Sequence, residues 1–120
     1  MTSKADKEYD RWSKEVKRGA VTLAILALLE RETAYGYEVV KRLEDMTSFL
    51  ALEQGTVYPL LRRLEKRGLL VSEWNYEDKT KPKKYYRITD EGTDALAMMN
   101  KTWAELSKEM NTILFGDDQK

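Results

Sequence analysis

The segment from Glu53 to Leu70 constrains the fold more strongly than any other part of the chain, because it has the pattern of an amphipathic helix. The apolar residues at the i, i+3, i+4, i+7 spacing of a buried helix face are Val57, Leu60, Leu61 and Leu64. Tyr58, Arg62 and Lys66 then share the solvent side, which is aromatic and cationic. A helix with such an exposed face is suited to a negatively charged partner.

A two-stranded hairpin is predicted directly after this helix. Residues 69–76 alternate in the manner of a strand, and residues 83–88 supply its partner. The tip of the hairpin is predicted to carry four cations, Lys79, Lys81, Lys83 and Lys84. A helix followed by a basic hairpin is the outline of a winged helix-turn-helix, so the leading hypothesis is a protein that binds double-stranded DNA.

Two helices are predicted before this segment. The first runs from about Glu15 to Arg31, and its portion over residues 20–29 is apolar nearly all round, which indicates that it is covered on more than one side. Thr33 is a candidate N-cap for the second helix, which is expected to end near Asp45. Gly36 in its first turn would allow another backbone to approach closely.

The bounds of the third helix follow from its flanking residues. It is predicted to begin between Glu53 and Thr56, because Pro59 lacks a backbone donor and is tolerated only near a helix start. Gly68 follows two cations and is typical of a residue that ends a helix.

A last helix is predicted to start after Thr89, with acidic residues in its first turn. Its apolar residues are spaced alternately by three and four positions, and they are Leu96, Met99, Trp103, Leu106, Met110 and Ile113. This spacing is typical of a coiled-coil seam, so we interpret the helix as a dimerisation element. The alternative is that the seam packs only on its own domain.

The formal net charge is zero, but the charges are segregated along the chain. Residues 53–87 contain nine basic and five acidic side chains, whereas residues 89–120 contain three basic and seven acidic ones. A basic middle region and an acidic tail steer a polyanion to one side of a molecule, which the same charges would not do if they were interspersed.

Composition lowers the expectation of an enzyme, because the chain contains neither cysteine nor histidine. These absences remove disulfides, thiolate zinc sites and the commonest general base, so no catalytic residue, metal or cofactor is predicted. Two carboxylate pairs, Glu73 with Glu77 and Asp90 with Asp94, are better explained by solvation and helix capping. The longest apolar run is about half of the roughly 20 residues that a membrane span needs, and the amino terminus lacks an apolar signal segment. A cytoplasmic protein is therefore expected.

Four sequence blocks, taken together, carry a resemblance to a known family. They are Tyr35-Gly36-Tyr37-Glu38, the run GTVYPLL at 55–61, the run LEKRGL at 64–69 and the run KYYRITDEG at 84–92. On these blocks the chain, from about Arg18 to Leu114, resembles the PadR family of transcriptional regulators, and specifically its shorter branch with a single final helix. The resemblance implies a homodimeric winged-helix repressor whose third helix enters the major groove of DNA.

The resemblance also implies where DNA would bind. The candidate DNA-binding residues are Tyr35, Tyr37, Thr56, Tyr58, Pro59, Arg62, Arg63, Lys66, Lys79, Lys81, Lys83 and Lys84. For Tyr35 and Tyr37 two interpretations stay open, contact with phosphate or packing in the core. The wing departs from the family, which often has glycine and arginine before the proline, so its lysines are expected to hold the DNA backbone without reading the minor groove.

A ligand site is a further hypothesis that the resemblance raises. Some regulators of the shorter branch bind flat aromatic or cationic compounds between the two subunits, where a tryptophan of the last helix stacks on the ligand. Trp103 occupies the matching position, and Leu23 and Ala27 would line the same space. Trp103 also fits the seam as ordinary core.

The predicted organisation is thus mainly α-helical with a small β-hairpin. Residues 1–14 form a polar arm or loose helix, 15–89 the winged helix-turn-helix, 90–116 the dimerisation helix and 117–120 a tail. The predicted function is a homodimeric DNA-binding regulator, a repressor relieved by a small-molecule effector. The alternative is a winged-helix module that binds proteins instead of DNA.

Overall fold

A computed structural model describes residues 2–50 and 54–116, so the predicted tail at 117–120 lies outside the described residues. The elements in chain order are α1 (Lys4–Arg31), β1 (Ala34–Tyr35), α2 (Gly36–Met46), α3 (Gln54–Lys66), β2 (Leu70–Asn75), β3 (Lys83–Ile88) and α4 (Asp90–Phe115). The predicted third helix, hairpin and last helix are present with nearly the predicted bounds. The helical architecture with its small antiparallel sheet is the predicted fold class.

Helix α1 begins at Lys4, whereas we predicted a helix from Glu15 preceded by an arm or loose helix. Its start is fixed by a capping box at Ser3. The Ser3 hydroxyl accepts from the Asp6 backbone N–H (3.0 Å), and the Asp6 carboxylate accepts from the Ser3 N–H (3.3 Å). The result is a regular helix of 28 residues, about 42 Å long at 1.5 Å per residue.

The sheet has three strands in the order β1-β3-β2, one more than predicted. In strand β1, Ala34 pairs with Tyr86 and Tyr35 pairs with Tyr85. A strand of two residues has no measurable periodicity, which is why the sequence did not indicate it. Because β1 occupies these positions, α2 begins at Gly36, and the prediction of Thr33 as its cap is wrong.

Helix α3 ends as predicted at Gly68, whose φ of 82° is the left-handed conformation that glycine adopts without strain. The Gly68 N–H donates to the Glu65 carbonyl and the Leu69 N–H to the Leu64 carbonyl, both at 3.0 Å. These two bonds are those of a Schellman cap. Thr89 returns to the same turn, because its hydroxyl donates to the Gly68 carbonyl (2.6 Å) while it caps α4.

The core lies where α1, α2, α3 and the sheet meet. Its largest fully buried side chains are Ile25, Leu26, Val39, Leu43, Val57, Leu61, Leu64 and Leu70. From α4, only Leu96 belongs to this cluster. Helix α1 is covered on one side by the domain core, and α4 packs against another side of it, around Leu23 and Ala27. Beyond Leu96, α4 leaves the core. None of the helices in the described part of the chain is long and apolar enough to cross a membrane.

Candidate nucleic-acid interface

Helix α3 presents the basic face that the sequence predicted. Val57, Leu61 and Leu64 are buried against the core, and they account for three of the four apolar positions of the pattern. Leu60 is only partly buried. The side chains left exposed along the outer face are Thr56, Pro59, Arg62, Arg63 and Lys66.

Tyr58 differs from the prediction, because its ring is half-buried instead of solvent-facing. The ring packs on Gly36 in the first turn of α2, so closely that a Cβ atom at Gly36 would overlap it. The close approach that we expected at Gly36 is therefore made by a side chain and not by a backbone. This contact holds the start of α2 against the first turns of α3.

A cavity of about 460 Å³ lies between α2, α3 and the sheet. Six of the side chains that line it are Tyr35, Tyr37, Tyr58, Arg62, Trp74 and Lys83. Tyr35 is stacked with Tyr37 at a centroid distance of 6.3 Å and meets Tyr85 edge-on at 5.5 Å. Tyr35 and Tyr85 thus take part in packing, whereas Tyr37 is 44% exposed. Trp74 was not among the predicted site residues, because alternation along a strand does not indicate which face a cavity will use.

The lysines of the hairpin occupy two different environments. Lys79 and Lys81 are exposed in the loop between the strands. Lys83 and Lys84, which we predicted at the tip, belong to β3 instead. Lys83 places its ammonium 4.5 Å from the Tyr35 ring centroid, and Lys84 is half-buried with its ammonium 3.5 Å from a Glu65 carboxylate oxygen. Only two of the four lysines therefore lie at the tip.

Glu65 joins α3 to both strands of the hairpin, a role that the sequence did not reveal. One of its carboxylate oxygens pairs with Lys84 on β3, and the other accepts a hydrogen bond from the Ser72 hydroxyl on β2. Ser72 lies seven residues from Glu65 and Lys84 nineteen, and the three follow no common pattern, so only the folded structure brings them together. The link connects α3 to both strands of the wing through one ion pair and one hydrogen bond.

The loop of the wing is organised by Asp78. Its carboxylate accepts from the Thr80 backbone N–H (3.0 Å) and from the Thr80 hydroxyl (2.6 Å). These hydrogen bonds from Thr80 favour the ionised form and hold the pKa of the Asp78 carboxyl below its ordinary value. The Lys81 N–H closes the turn on the Asp78 carbonyl (3.1 Å).

The predicted seam of α4 divides into one buried and five exposed residues. Leu96 packs in the core of its own domain, so it follows the alternative that we left open. The exposed fractions of the other five range from 36% for Met99 to 74% for Ile113. Those five are Met99, Trp103, Leu106, Met110 and Ile113. An apolar face of this extent on a small domain is typical of an interaction surface.

The three predicted ligand residues come together between α1 and α4. Leu23, Ala27 and Trp103 all line a cavity of about 560 Å³. A larger groove of about 830 Å³ is shared by Leu23 and Trp103 with Trp12 and the methionines of α4. Trp12 was not predicted to line this space, because the polar composition of residues 1–14 indicated only an arm or loose helix.

The two predicted carboxylate pairs do not form a catalytic site. Glu73, Glu77, Asp90 and Asp94 are all exposed. Within residues 2–50 and 54–116, no group of three or more carboxylates is placed to hold a metal ion.

Comparison with known proteins gives structural relatives over nearly the whole chain. A PadR family transcriptional regulator of Eggerthella lenta is 40% identical, with a TM-score of 0.79 over 94% of this chain and 97% of that chain. A PadR-like transcriptional regulator of Bacillus cereus is 30% identical, with a TM-score of 0.76 over 86% of this chain and 99% of that chain. The likeness confirms the predicted winged-helix fold.

Sequence comparison leads to the same family. A transcriptional regulator of Mycobacterium tuberculosis is 34% identical over 97 residues, which cover 81% of this chain and 88% of the relative. The profile of the transcriptional regulator PadR-like family matches residues 25–98. The family consists of regulators and not of enzymes. The chain therefore belongs to the PadR-like family of transcriptional regulators, as its four sequence blocks indicated.

Proposed function

We propose that this PadR-family regulator is a homodimer that binds operator DNA with α3 and the wing, and that it represses transcription until a small molecule releases it. The observation that carries the proposal is the cationic face of α3, linked to both strands of the wing by Glu65. A surface of this kind matches the spacing of a major groove and the backbone beside it.

Each exposed side chain of α3 has a role that its chemistry supports. Arg62 and Arg63 present planar forks that can bind the O6 and N7 atoms of guanine or hold a phosphate. Lys66 is a flexible point charge and is assigned to phosphate. Thr56 can donate its hydroxyl near the helix start. Pro59 lies inside the helix, as the sixth residue of α3 and not in its first turn, and adds an apolar surface there.

The cavity around the tyrosines is proposed to hold one backbone phosphate. The hydroxyls of Tyr37 and Tyr58 can donate to phosphate oxygens, and Lys83 and Arg62 supply positive charge at its edge. The first turn of α2, whose N–H groups have no partners within the helix, adjoins the same cavity through Gly36 and Tyr37. Tyr35 contributes by positioning Lys83 and Tyr37 and not by direct contact.

The exposed apolar face of α4 supports the dimer. If two copies buried this face against each other, their α3 helices would be held at a fixed separation. Reading two successive major grooves requires a separation of about 34 Å. Trp12 and Leu23 on α1 continue the same apolar surface, which enlarges the area available to a partner.

DNA recognition is tested with Arg62→Ala combined with Lys66→Ala. We expect operator affinity to fall at least tenfold and discrimination against a mutated half-site to shrink, since a bidentate arginine contributes about 1–3 kcal/mol of specificity. The control is Lys101→Ala with Lys108→Ala, two exposed cations of α4. Unchanged operator binding by the double variant, with an intact dimer, would favour the protein-interaction module instead.

Effector binding is tested at Trp103. In a background with Trp12→Phe and Trp74→Phe, titration with a planar cationic dye should quench Trp103 fluorescence and lower operator affinity. The reason is that Trp103 lines both spaces between α1 and α4. An unchanged fluorescence signal at high dye concentration would exclude this type of effector and leave the DNA-binding proposal untouched.

A further inference from the structure

Five of the six cations in the first four turns of α1 lie along one face. Lys4, Lys7, Arg11, Lys14 and Arg18 are spaced by three and four residues, which places them along one line of the helix. Asp6 and Glu8 fall outside that line, whereas Asp10 and Glu15 share a surface cavity with four of the cations, Lys7, Arg11, Lys14 and Arg18. All five cations are exposed.

This line of cations leads to α3. Lys14, Lys17, Arg18, Thr56 and Arg63 line a shared cavity of about 290 Å³ between the two helices. Its remaining lining residues are apolar or threonine, and none of the lining residues is acidic. Four cationic side chains from two helices therefore converge on one space without a carboxylate among its lining residues. We call Lys14, Lys17, Arg18 and Arg63 the α1–α3 cluster.

The ion pairs near this cluster are weak. Lys14 pairs with Asp10 (3.1 Å) and Arg11 with Glu8 (3.4 Å), but all four side chains remain 67–73% exposed. Exposed pairs of this kind contribute little and exchange readily for another anion. Neither Arg18 nor Arg63 forms an ion pair within residues 2–50 and 54–116. Like charges that converge in this way repel each other until an anion is bound.

The cluster lies on the side of α3 away from the wing. Lys84 and Trp74 of the hairpin adjoin Tyr58 and Arg62, whereas Thr56 and Arg63 adjoin α1. The apolar surface proposed for the dimer is formed by another face of α1, where Trp12 lies. The cations of α1 therefore stay accessible in a dimer built on that surface.

We propose that the α1–α3 cluster, together with Lys7 and Arg11, binds backbone phosphates of operator DNA on the side of the recognition helix opposite the wing. This inference rests on the proposed DNA binding and extends it to α1. The distance from Lys4 to Arg18 is about 21 Å along the helix, roughly the rise of six base pairs. The duplex would thus be held from both sides of α3, by the wing and by α1.

The experiment combines Arg11→Ala, Lys14→Ala and Arg18→Ala in the full chain. Alanine preserves the helix, and circular dichroism and sedimentation verify the fold and the dimer. Operator affinity is measured over a range of salt concentrations, beside the control Lys101→Ala with Lys108→Ala. We expect affinity for operator and for random DNA to fall by about the same factor, at least tenfold. The slope of log K against log salt should become shallower by about 0.9 for each lost phosphate contact.

Ethylation interference on the operator separates the cluster from the wing. In the triple variant, certain phosphates should no longer weaken binding when they are ethylated. These phosphates should differ from those that stop interfering in the variant with Lys79→Ala and Lys81→Ala. An unchanged salt slope, or loss of the same phosphates in both variants, would overturn the inference. The inference would also be overturned if the triple variant bound DNA like the wild type but no longer bound another protein. If the wild-type chain binds no operator, the proposed function itself fails. That result differs from failure of the inference alone, in which the wild-type chain still binds operator.

Discussion

The apolar residues of helix α3 are mostly buried, whereas those of the outer part of α4 are exposed. Val57, Leu61 and Leu64 of α3 are at most 1% exposed, because α1, α2 and the sheet cover them within the same chain. On α4 the apolar residues beyond Leu96 remain exposed. Both helices have similar amphipathic patterns in sequence. The winged-helix half is therefore complete within one chain, whereas the α4 half leaves an apolar surface exposed, which in the proposed dimer a second copy covers.

The largest effect is expected from charges placed on the exposed apolar face of α4 with Leu106→Glu and Met110→Glu. We expect the dimer to be lost, because two buried carboxylates would face each other across the interface. Loss of bivalent binding should lower operator affinity by about 100- to 10,000-fold. Sedimentation equilibrium and operator titration measure the two effects.

The matched control for the seam is Lys101→Glu with Lys108→Glu, on the opposite face of α4. These changes add acidic groups to the same helix and should leave the dimer intact. A double seam variant that stayed dimeric would show that α4 is not the dimer interface.

A comparison of Leu61→Ala with Ile113→Ala sharpens the distinction between the halves. Leu61 is fully buried, so its truncation should lower the free energy of unfolding by about 2–5 kcal/mol. Ile113 is 74% exposed, and in the monomeric seam variant its truncation should change the free energy by less than about 0.5 kcal/mol. Urea denaturation measures both. If both substitutions lowered the free energy of unfolding equally in the monomeric background, Ile113 would be as much a part of the core as Leu61, which contradicts the expected difference.

Gly36→Ala tests the packing that joins α2 to α3. An added Cβ overlaps the Tyr58 ring and should cost about 1–3 kcal/mol of unfolding free energy. Displacement of Tyr58 should also weaken operator binding. Gly55→Ala is the matched control, because nothing lies within 4 Å of its added Cβ and alanine favours the helix. Equal stability of the two variants would refute the contact.

Glu65→Ala tests the link between helix and wing. Loss of the Lys84 ion pair and of the Ser72 hydrogen bond should destabilise the domain by about 1–2 kcal/mol. Amide exchange should increase in β2 and β3 before it increases in α1. Glu73→Ala on the exposed side of β2 serves as the control and should have little effect. Unaltered exchange in the hairpin would mean that the link does not hold the wing.

The smallest expected effect concerns the wing loop. Since the Asp78 pKa is lowered in the folded chain, its stabilising contribution is present above the ordinary aspartate pKa and is lost as pH falls through the lowered value. Thr80→Ala removes the hydrogen bond from the hydroxyl, keeps the one from the backbone N–H, and should raise the Asp78 pKa toward its ordinary value. Carboxyl NMR titration measures the shift. The same pKa in both proteins would indicate that Thr80 does not cause the lowering.

Several features could be predicted from the sequence because a local signal encoded them. The pattern of α3, the glycine at its end, the alternating strands and the Thr89 cap each depend on residues that are close neighbours in the chain. The start of α1 depends on such a signal as well, in the capping box at Ser3, but the polar composition of residues 1–14 concealed it. The blocks around Tyr35, Tyr58 and Tyr86 were sufficient to identify the family.

The remaining features depend on residues that are distant in the chain. No local rule pairs Ala34 with Tyr86, links Glu65 to Ser72 and Lys84, or brings Arg63 beside Lys14 and Arg18. The sequence by itself determined the helices, the hairpin and the cationic character of α3, because hydrophobic period and turn chemistry act over a few residues. Which cations of residues 2–50 and 54–116 form ion pairs follows from the tertiary structure alone, because burial and long-range contacts exist only once the elements have packed together.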